Sequence, residues 1–400
     1  MNAMLLCAGL GTRFTPHTKK ISKPAIPFLN LPILAYPLFL LNKLRPVKIV
    51  VNTHHLPETI EAAIKKVSAA LSDGSIIAAA SGSTNEPSSK FFYSYEKEIL
   101  GSGGGINFAK STLLYQQNPD ESADSSLGLS QDEDYFVVIN GDDIILFDHE
   151  EGLQPLIDFH KESGALVTLL TTDHPEAGKT KGGIWVNSSG QVTQIHSMSD
   201  RTVSSQLLSD RAAKNHAATT TGADSSDLGE AKHFTGVAVY SNKIFSLMPQ
   251  GNFHIFNDCL VAALERGEKI MSLHDPSILS LEMTCEEDYL KSTQRALKEL
   301  SAESTYGINL AAVFKNYDLI YERISDTQWL GPGAQCLCKP DDGAFILLGS
   351  GSIIGADAEI SGFCVLGDRA SFDQGYLESS VIAEGKHLHA LEAIRQQLIL

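Results

Sequence analysis

The 400-residue chain is short of basic residues: 31 lysines and arginines stand against 48 aspartates and glutamates, for a formal net charge of −17. A sequence-independent grip on nucleic acid needs clustered positive charge, so the balance argues against that class. It favours a self-repelling, solvated surface instead. The chain also lacks a run of 18 or more apolar residues, so no membrane-spanning helix is expected. No charged start followed by an apolar run and a small-residue cleavage site is present, so no secretory leader is expected and the cytoplasm is the default location. The six cysteines are scattered. Cys336 and Cys338 sit too close for the usual zinc pair and no second pair follows, so reduced, mostly buried thiols are expected. Two common nucleotide fingerprints are missing as well: no third glycine completes a dinucleotide motif, and no Gly-Lys-Ser/Thr completes a Walker loop. What remains is an ordinary globular composition, 43% apolar and 20% charged, long enough for two or three domains.

The most informative stretch runs from Met4 to Phe28. Met4, Leu5, Leu6 and Cys7 read as a buried strand. The loop Ala8-Gly9-Leu10-Gly11-Thr12-Arg13 follows, its glycines letting the backbone turn sharply and approach a ligand. Consecutive N–H groups in such a loop make a concavity suited to anions. Arg13 offers a fork of donors and Lys23 a point charge, which together suit a triphosphate. By itself, Gly-x-Gly also fits a strand-to-helix turn that binds nothing.

The longer pattern is more specific. Leu6-x-Ala8-Gly9-x-Gly11-Thr12-Arg13-x-x-Pro16-x-Thr18, then Lys23-Pro24 and Pro27, resembles the signature of the sugar-1-phosphate nucleotidyltransferases. The resemblance implies that Ala8, Gly9, Gly11 and Thr12 wrap a nucleoside triphosphate, and that Arg13 and Lys23 contact its phosphates as the catalytic cations. Ser22 stands where the family has the first proline of Pro-Lys-Pro. Val51-Asn52-Thr53-His54-His55-Leu56 is similar to mannose- and muramate-type members, which leans the base toward GTP or UTP. Glu98-Ile99-Leu100-Gly101-Ser102-Gly103 resembles the stretch that lines the base and ribose pocket, implying nucleotide contacts from Glu98, Gly101 and Gly103. The residues themselves also fit a flexible, glycine-eased entry to a helix over 107–115.

Tyr135 to Phe147 supplies the second anchor. Phe136 to Ile139 form a central buried strand that delivers Asn140-Gly141-Asp142-Asp143 to its carboxyl end, and a carboxylate there is a hard oxygen ligand suited to Mg²⁺. In the family the matching aspartate holds the metal, which carries over onto Asp142. The second metal carboxylate of the family falls on Glu282, one methylene longer and in a stretch without the family's Gly and Pro. The sugar site implied by resemblance comprises Gly182, Gly183, Thr235 and Gly236. Where many members carry Glu-Lys for the sugar phosphate, this chain has His196-Ser197-Met198; His196 and Lys232 are alternatives, with solvated surface the plainer reading of each.

Alternating strands and helices up to about residue 145 argue for a doubly wound sheet. The expected class is α/β: a Rossmann-like, doubly wound mixed sheet over 1–300, with polar insertions at 119–134 and 199–232. A linker or helical segment over 301–330 follows. From Leu348 a six-residue beat (Leu348, Ile354, Ile360, Leu366, Phe372) suits a parallel β-helix over 331–385. It resembles the left-handed tails of such transferases, where it would serve homo-oligomer contact or cap the first domain; acyl transfer, which such tails perform elsewhere, is a remote third reading. A C-terminal helix is expected over 386–400. The implied reaction is Mg²⁺-dependent transfer of a nucleotidyl group from an NTP to a sugar 1-phosphate. The competing expectation is a non-catalytic relative that binds nucleotide or NDP-sugar and regulates a partner.

Overall fold

The computed structural model describes residues 1–69, 91–114, 134–196, 230–389 and 392–400. The insertion expected at 119–134 and that at 199–232 lie almost wholly outside the described residues. In chain order the first elements are β1 (Asn2–Leu6), a two-residue ribbon of β2 (Pro27–Phe28) and β3 (Leu31–Pro32), α1 (Ala35–Lys43), β4 (Ile49–Thr53), α2 (Pro57–Ala69) and β5 (Phe91–Tyr95). Then come α3 (Gly101–Phe108), α4 (Lys110–Leu114), β6 (Tyr135–Asn140), β7 (Ile144–Leu146), α5 (Gln154–Ser163), β8 (Val167–Thr172), β9 (Gly183–Val186), β10 (Val192–His196) and β11 (Ala231–Ser241). A π-helical turn Ile255–Leu260 leads into a short helix, Val261–Glu265, followed by β12 (Ile270–His274), β13 (Leu279–Leu281) and the helices Glu286–Ser301 and Thr305–Asn316.

The remainder is strand: β14 (Glu322–Ser325), β15 (Gln328–Leu330), β16 (Gln335–Cys336), β17 (Phe345–Leu348), β18 (Ile353–Leu366), β19 (Ser371–Ile382), β20 (His387–Leu388), β21 (Ile394–Arg395) and β22 (Leu398–Ile399). Two expectations are corrected here. The described residues of 386–400 hold three short strands rather than a helix, because Leu388, Ile394 and Ile399 continue the inward apolar beat and pack on the same core as Ile354 and Phe372. Gly101 to Gly105 are not a loop ahead of a helix but its first turns.

The chain divides into two compact units. The first comprises Met1–Met4, Glu98–Ile139 and Leu153–Ser277. In it β11 is the central strand, antiparallel to both β6 and β8, while β12 runs parallel to β8. β6, β8 and β12 therefore point the same way. β9 and β10 form a hairpin, and β9 pairs with the start of β11. The sheet is thus mixed. Val137, Val167, Val237 and Val239 are fully buried, as expected of strands covered on both faces.

The second unit comprises Leu5–Lys97, Asn140–Gly152 and Ile278–Leu400. β4 and β5 pair in parallel, and every residue of β4 is buried. β7 pairs antiparallel with β13. The C-terminal strands stack in parallel: Trp329 faces Leu347, Leu347 faces Val365, Val365 faces Val381 and Val381 faces Leu398. Each step is about 17 residues, close to three six-residue sides. Glu286, in the first turn of its helix, fastens this stack to the N-terminal segment: one oxygen accepts from the Leu398 N–H at 2.6 Å, and the other lies 3.2 Å from His17 Nε2.

Candidate active site

In the second unit a polar chain anchors the loop that follows β1. The Cys7 N–H donates to Asn52 Oδ1 at 2.8 Å, and Asn52 Nδ2 donates to Glu96 Oε1 at 2.7 Å. His54 Nδ1 lies 2.8 Å from the Glu96 carbonyl, and His55 Nε2 lies 2.5 Å from the Thr18 carbonyl. Asn52 and His55 therefore clamp the backbone on both sides of the loop. Asn52 and Glu96 are the positioning residues that reading the sequence missed as site members. The cluster was visible in the sequence, but a side chain that holds a loop from inside cannot be told there from one that faces a ligand.

Gly11 adopts φ +60°, and a Cβ on it would fall 2.8 Å from Thr18 Cγ2. Its carbonyl accepts from Thr18 Oγ1 and from the Phe14 N–H. Gly9, by contrast, has nothing within 4 Å of where a Cβ would stand. Thr12 and Arg13 are exposed beside it, and Ala8 is buried. The loop therefore offers open backbone at Gly9 and free-standing positive charge at Arg13.

Ser22 is fully buried; its N–H donates to Thr59 Oγ1 at 3.1 Å, while its own Oγ has no partner. A proline there would forfeit that N–H bond. Lys23 begins the next short turn and is itself buried, with Nζ 2.7 Å from Asp142 Oδ2. Asp142 is aimed by Gly141, whose N–H donates to the Leu6 carbonyl at 2.8 Å and whose hypothetical Cβ would lie 2.4 Å from Cys7 Sγ. Only glycine fits between β1 and the acidic turn. Burial, with the nearby Asp142 carboxylate, pushes the Cys7 thiol well above its ordinary pKa, which makes it a packing group rather than a nucleophile. Asp143 accepts from Asn140 Nδ2 at 2.8 Å and so braces the turn.

Glu282 directly follows β13. The register Leu281↔Ile144, Ser280↔Ile145, continued one step, sets the Glu282 backbone opposite Asp143. Its carbonyl is held by Ser292 Oγ at 2.9 Å. Asp142 and Glu282 are the carboxylates that could hold a divalent cation. Among the described residues no cluster of three or more His, Cys, Asp or Glu forms a metal cage. A pair of hard oxygen donors matches an ion that keeps waters and substrate phosphates in most of its coordination sites, which is the habit of Mg²⁺.

The first unit carries the other expected residues. Glu98 is exposed. The glycines of α3 have a packing reason: a Cβ on Gly101 would lie 2.6 Å from the Phe253 carbonyl oxygen, one on Gly103 2.1 Å from the Phe253 ring, and one on Gly104 2.4 Å from the Gly251 carbonyl oxygen. The N–H groups of Gly103 and Gly104 both donate to the Phe253 carbonyl. Gly183 pairs with His196 across the β9–β10 hairpin, and the Gly182 carbonyl accepts from the Gly178 N–H. Thr235 is buried, its hydroxyl donating to the Leu170 carbonyl at 3.0 Å, and Gly236 (φ +85°) falls within the break in register between β11 and β8. Lys232 is not solvated surface: its side chain is 21% exposed, with Nζ 2.8 Å from Asp173 Oδ1.

Residues 2–197 match the family described as Nucleotidyl transferase. Over 195 residues the chain is 31% identical to a UTP–glucose-1-phosphate uridylyltransferase of Synechocystis, covering 46% of this chain and 41% of that protein. It is 25% identical over 195 residues to the mannose-1-phosphate guanyltransferase beta-A of Xenopus laevis, covering 49% of this chain and 44% of the relative. The alignments thus span less than half the length of these curated relatives. A putative glucose-1-phosphate thymidylyltransferase from Bacillus anthracis, crystallised with a sucrose, superposes with a TM-score of 0.50 at 15% identity, covering 74% of this chain and 95% of that one; at that identity the likeness shows the fold alone. Over residues 2–197, just under half of its length, the chain is thus similar to the family described as Nucleotidyl transferase.

Proposed function

We propose that this protein transfers a nucleotidyl group from GTP or UTP to a sugar 1-phosphate, releasing pyrophosphate. The observation that carries the reading is the pairing of Lys23 with Asp142 at 2.7 Å beside a loop whose Gly9 is open to a ligand. A phosphate oxygen of the sugar phosphate attacks the α-phosphorus. The new P–O bond forms as the bond to the bridging oxygen of the β-phosphate breaks, and pyrophosphate leaves with the electron pair. Two anionic groups must meet, so the work is positioning and charge neutralisation. Loop N–H groups around Gly9 and Gly11 seat the triphosphate, with Ala8 and Thr12 beside them. Arg13 steadies the departing pyrophosphate, and Lys23 neutralises the α-phosphate. Asp142 and Glu282 would hold Mg²⁺, which when bound supplies further neutralisation of phosphate charge. Glu98, Gly101 and Gly103 are assigned to the base and ribose, and Gly182, Gly183, Thr235 and Gly236 to the sugar.

The assignment of residues 1–300 to catalysis, and of the C-terminal stack to a left-handed β-helix serving homo-oligomer contact, belongs to the same proposal, as does a cytoplasmic location where NTPs are plentiful. The name of one relative specifies a uridylyltransferase and that of another a guanyltransferase, which supports testing both bases. The test is a pyrophosphate-release screen with Mg²⁺, four NTPs and a panel of hexose, hexosamine and muramate 1-phosphates. Turnover with one pair is the expected result. The absence of turnover with every pair, alongside thermal stabilisation by a nucleotide or NDP-sugar, would replace it with the non-catalytic binding protein, a reading that Glu282 and Ser22 favour.

A further inference from the structure

In the second unit the segment that carries Arg13 and Lys23 rests on the start of the helix Glu286–Ser301. Tyr289 is the apolar half of that grip. Its hydroxyl donates to the Pro27 carbonyl at 2.6 Å, and its ring meets Phe14 and Phe28 edge-on, with centroids 5.9 and 5.7 Å away. Arg13 is exposed in the middle of the short turn Thr12–Phe14, and Phe14, which ends that turn, is buried. The Phe14 ring also lies 5.8 Å from the ring of His17. Where Arg13 stands is therefore set by how Phe14 and His17 sit on this helix.

Glu286 is the polar half. Three acidic residues, Glu286, Glu287 and Asp288, open the helix, and acid in a first turn has a plain reading, since it complements the helix dipole. Glu287 fits that reading: it is exposed and paired with Lys291 one turn on. Glu286 does not, because both of its oxygens are engaged by residues far away in the chain. Oε1 accepts from the Leu398 N–H at 2.6 Å, and Oε2 lies 3.2 Å from His17 Nε2. The carboxylate thereby sets the tautomer, with the proton on Nε2. The ladder between β19 and β22 uses the carbonyls of Gln397 and Ile399, which accept from the Val381 and Ala383 N–H groups and leave the Leu398 N–H to the carboxylate. The histidine side chain is 13% exposed and that of Glu286 35%. A carboxylate with that much access to water is not held by one imidazole alone. The backbone donor from β22 fixes its direction, and the other oxygen then fixes His17. One residue on, His55 holds the Thr18 carbonyl, so the chain after Arg13 is gripped from two sides.

We infer that Glu286 is a positioning residue for the nucleotide: bridging β22 to His17, it locks His17 and, through Phe14, the turn that presents Arg13 to the phosphates. The inference rests on the transferase reading for the identity of the ligand, a nucleoside triphosphate. It gives the C-terminal stack a part in nucleotide binding besides the contact proposed above.

The test is calorimetric titration of the full chain with GTP and UTP in the presence of Mg²⁺, with amide hydrogen exchange on the same proteins. The wild type should bind at least one of the two, and Glu286→Ala should bind it about tenfold more weakly. Glu286→Gln still spans both partners and should stay within about threefold of the wild type. Glu286→Asp keeps the charge but is a methylene too short to reach both, and should lose as much as Glu286→Ala. Leu398→Pro, which deletes the donor, should weaken binding likewise, whereas Leu398→Ala, which keeps it, should not. In Glu286→Ala, exchange should quicken over residues 12–20 and stay unchanged in β4, because the loosening is local. Faster exchange throughout the second unit would make Glu286 a merely structural residue and overturn the inference. Binding retained by Glu286→Asp and lost by Glu286→Gln would show that charge rather than the bridge matters, and would overturn it too. Equal nucleotide binding by wild type and Glu286→Ala would overturn this inference alone, whereas a wild type that binds neither nucleotide would overturn the transferase reading with it. Pyrophosphate release by the wild type decides catalysis separately.

Discussion

Lys23 and Asp142 stand 119 positions apart in the sequence and in contact in the fold, Nζ to Oδ2 at 2.7 Å. The lysine side chain is 11% exposed and the aspartate 35%, so the two partners have unequal claims on solvent. Removing the aspartate strands a buried ammonium, whereas removing the lysine leaves a carboxylate that water can reach. Asp142→Asn should therefore cost about 1–2 kcal/mol of stability, less than a fully buried pair because Asp142 is partly hydrated. Lys23→Met should cost less, and the double variant should recover most of the loss, giving a coupling visible in a denaturant double-mutant cycle. Pyrophosphate release should be abolished in all three. Full activity in Asp142→Asn would remove the aspartate from the site.

A pH dependence unrelated to the chemistry follows from His160. Its ring is 5% exposed, with Nδ1 2.8 Å from Thr168 Oγ1, and burial lowers its pKa from 6.5 to about 4. Above pH 6.5 the ring is neutral folded and unfolded alike and contributes no slope. Between pH 6.5 and 4 the unfolded chain binds the proton and the folded one resists it, so stability falls as pH falls through that window, by about 3 kcal/mol in all. Denaturant unfolding at pH 7 and pH 5 should show the loss, and His160→Gln should flatten this component of the profile. An unchanged profile in that variant would assign the slope to other groups.

Asn52 should matter more than its absence from any reactive role suggests. It satisfies the Cys7 N–H and donates to Glu96, a carboxylate that is 1% exposed. Asn52→Ala leaves a buried donor unpaired and takes one hydrogen bond from a buried carboxyl group, at a cost of about 2–4 kcal/mol. The loop after β1 should loosen with it, raising the KM for NTP more than that for sugar phosphate. A stability loss with no change in nucleotide KM would mean that the loop keeps its shape without this clamp.

Much of this site is legible in the sequence because its logic is local. The apolar run into Cys7, the glycines at 9 and 11, and the run from Phe136 to Asp142 each declare a strand and what it delivers. The Lys23–Asp142 contact is not local; neither partner's surroundings announce the other. The tail divides the same way. The beat from Leu348 to Phe372 gives the inward positions of the parallel strands, but between Leu388 and Ile394 the sequence His389-Ala390-Leu391-Glu392-Ala393 has helix-forming composition. On either side of that stretch Leu388 and Ile394 pair with β19, since strand character depends on the neighbouring strand. The glycines of α3 stay ambiguous for a related reason: a glycine required by a packed neighbour and a glycine required by a ligand look identical in a sequence.

That ambiguity becomes a measurement. Gly104 has the Gly251 carbonyl oxygen 2.4 Å from where a Cβ would sit, a backbone atom that cannot swing aside, whereas Gly9 has nothing within 4 Å. Gly104→Ala must push the 251–253 segment away from α3, an overpacking that costs about 1–3 kcal/mol. Gly9→Ala meets no protein atom and should leave the denaturation midpoint within about 0.5 kcal/mol of the wild type. If the open side of Gly9 is where a triphosphate lies, the added methyl takes that space, so Gly9→Ala should raise the KM for NTP at least tenfold with little change in that for sugar phosphate. The two variants thus separate a glycine that the fold needs from one that the ligand needs. An active, nucleotide-tight Gly9→Ala enzyme would place the triphosphate elsewhere than over this loop.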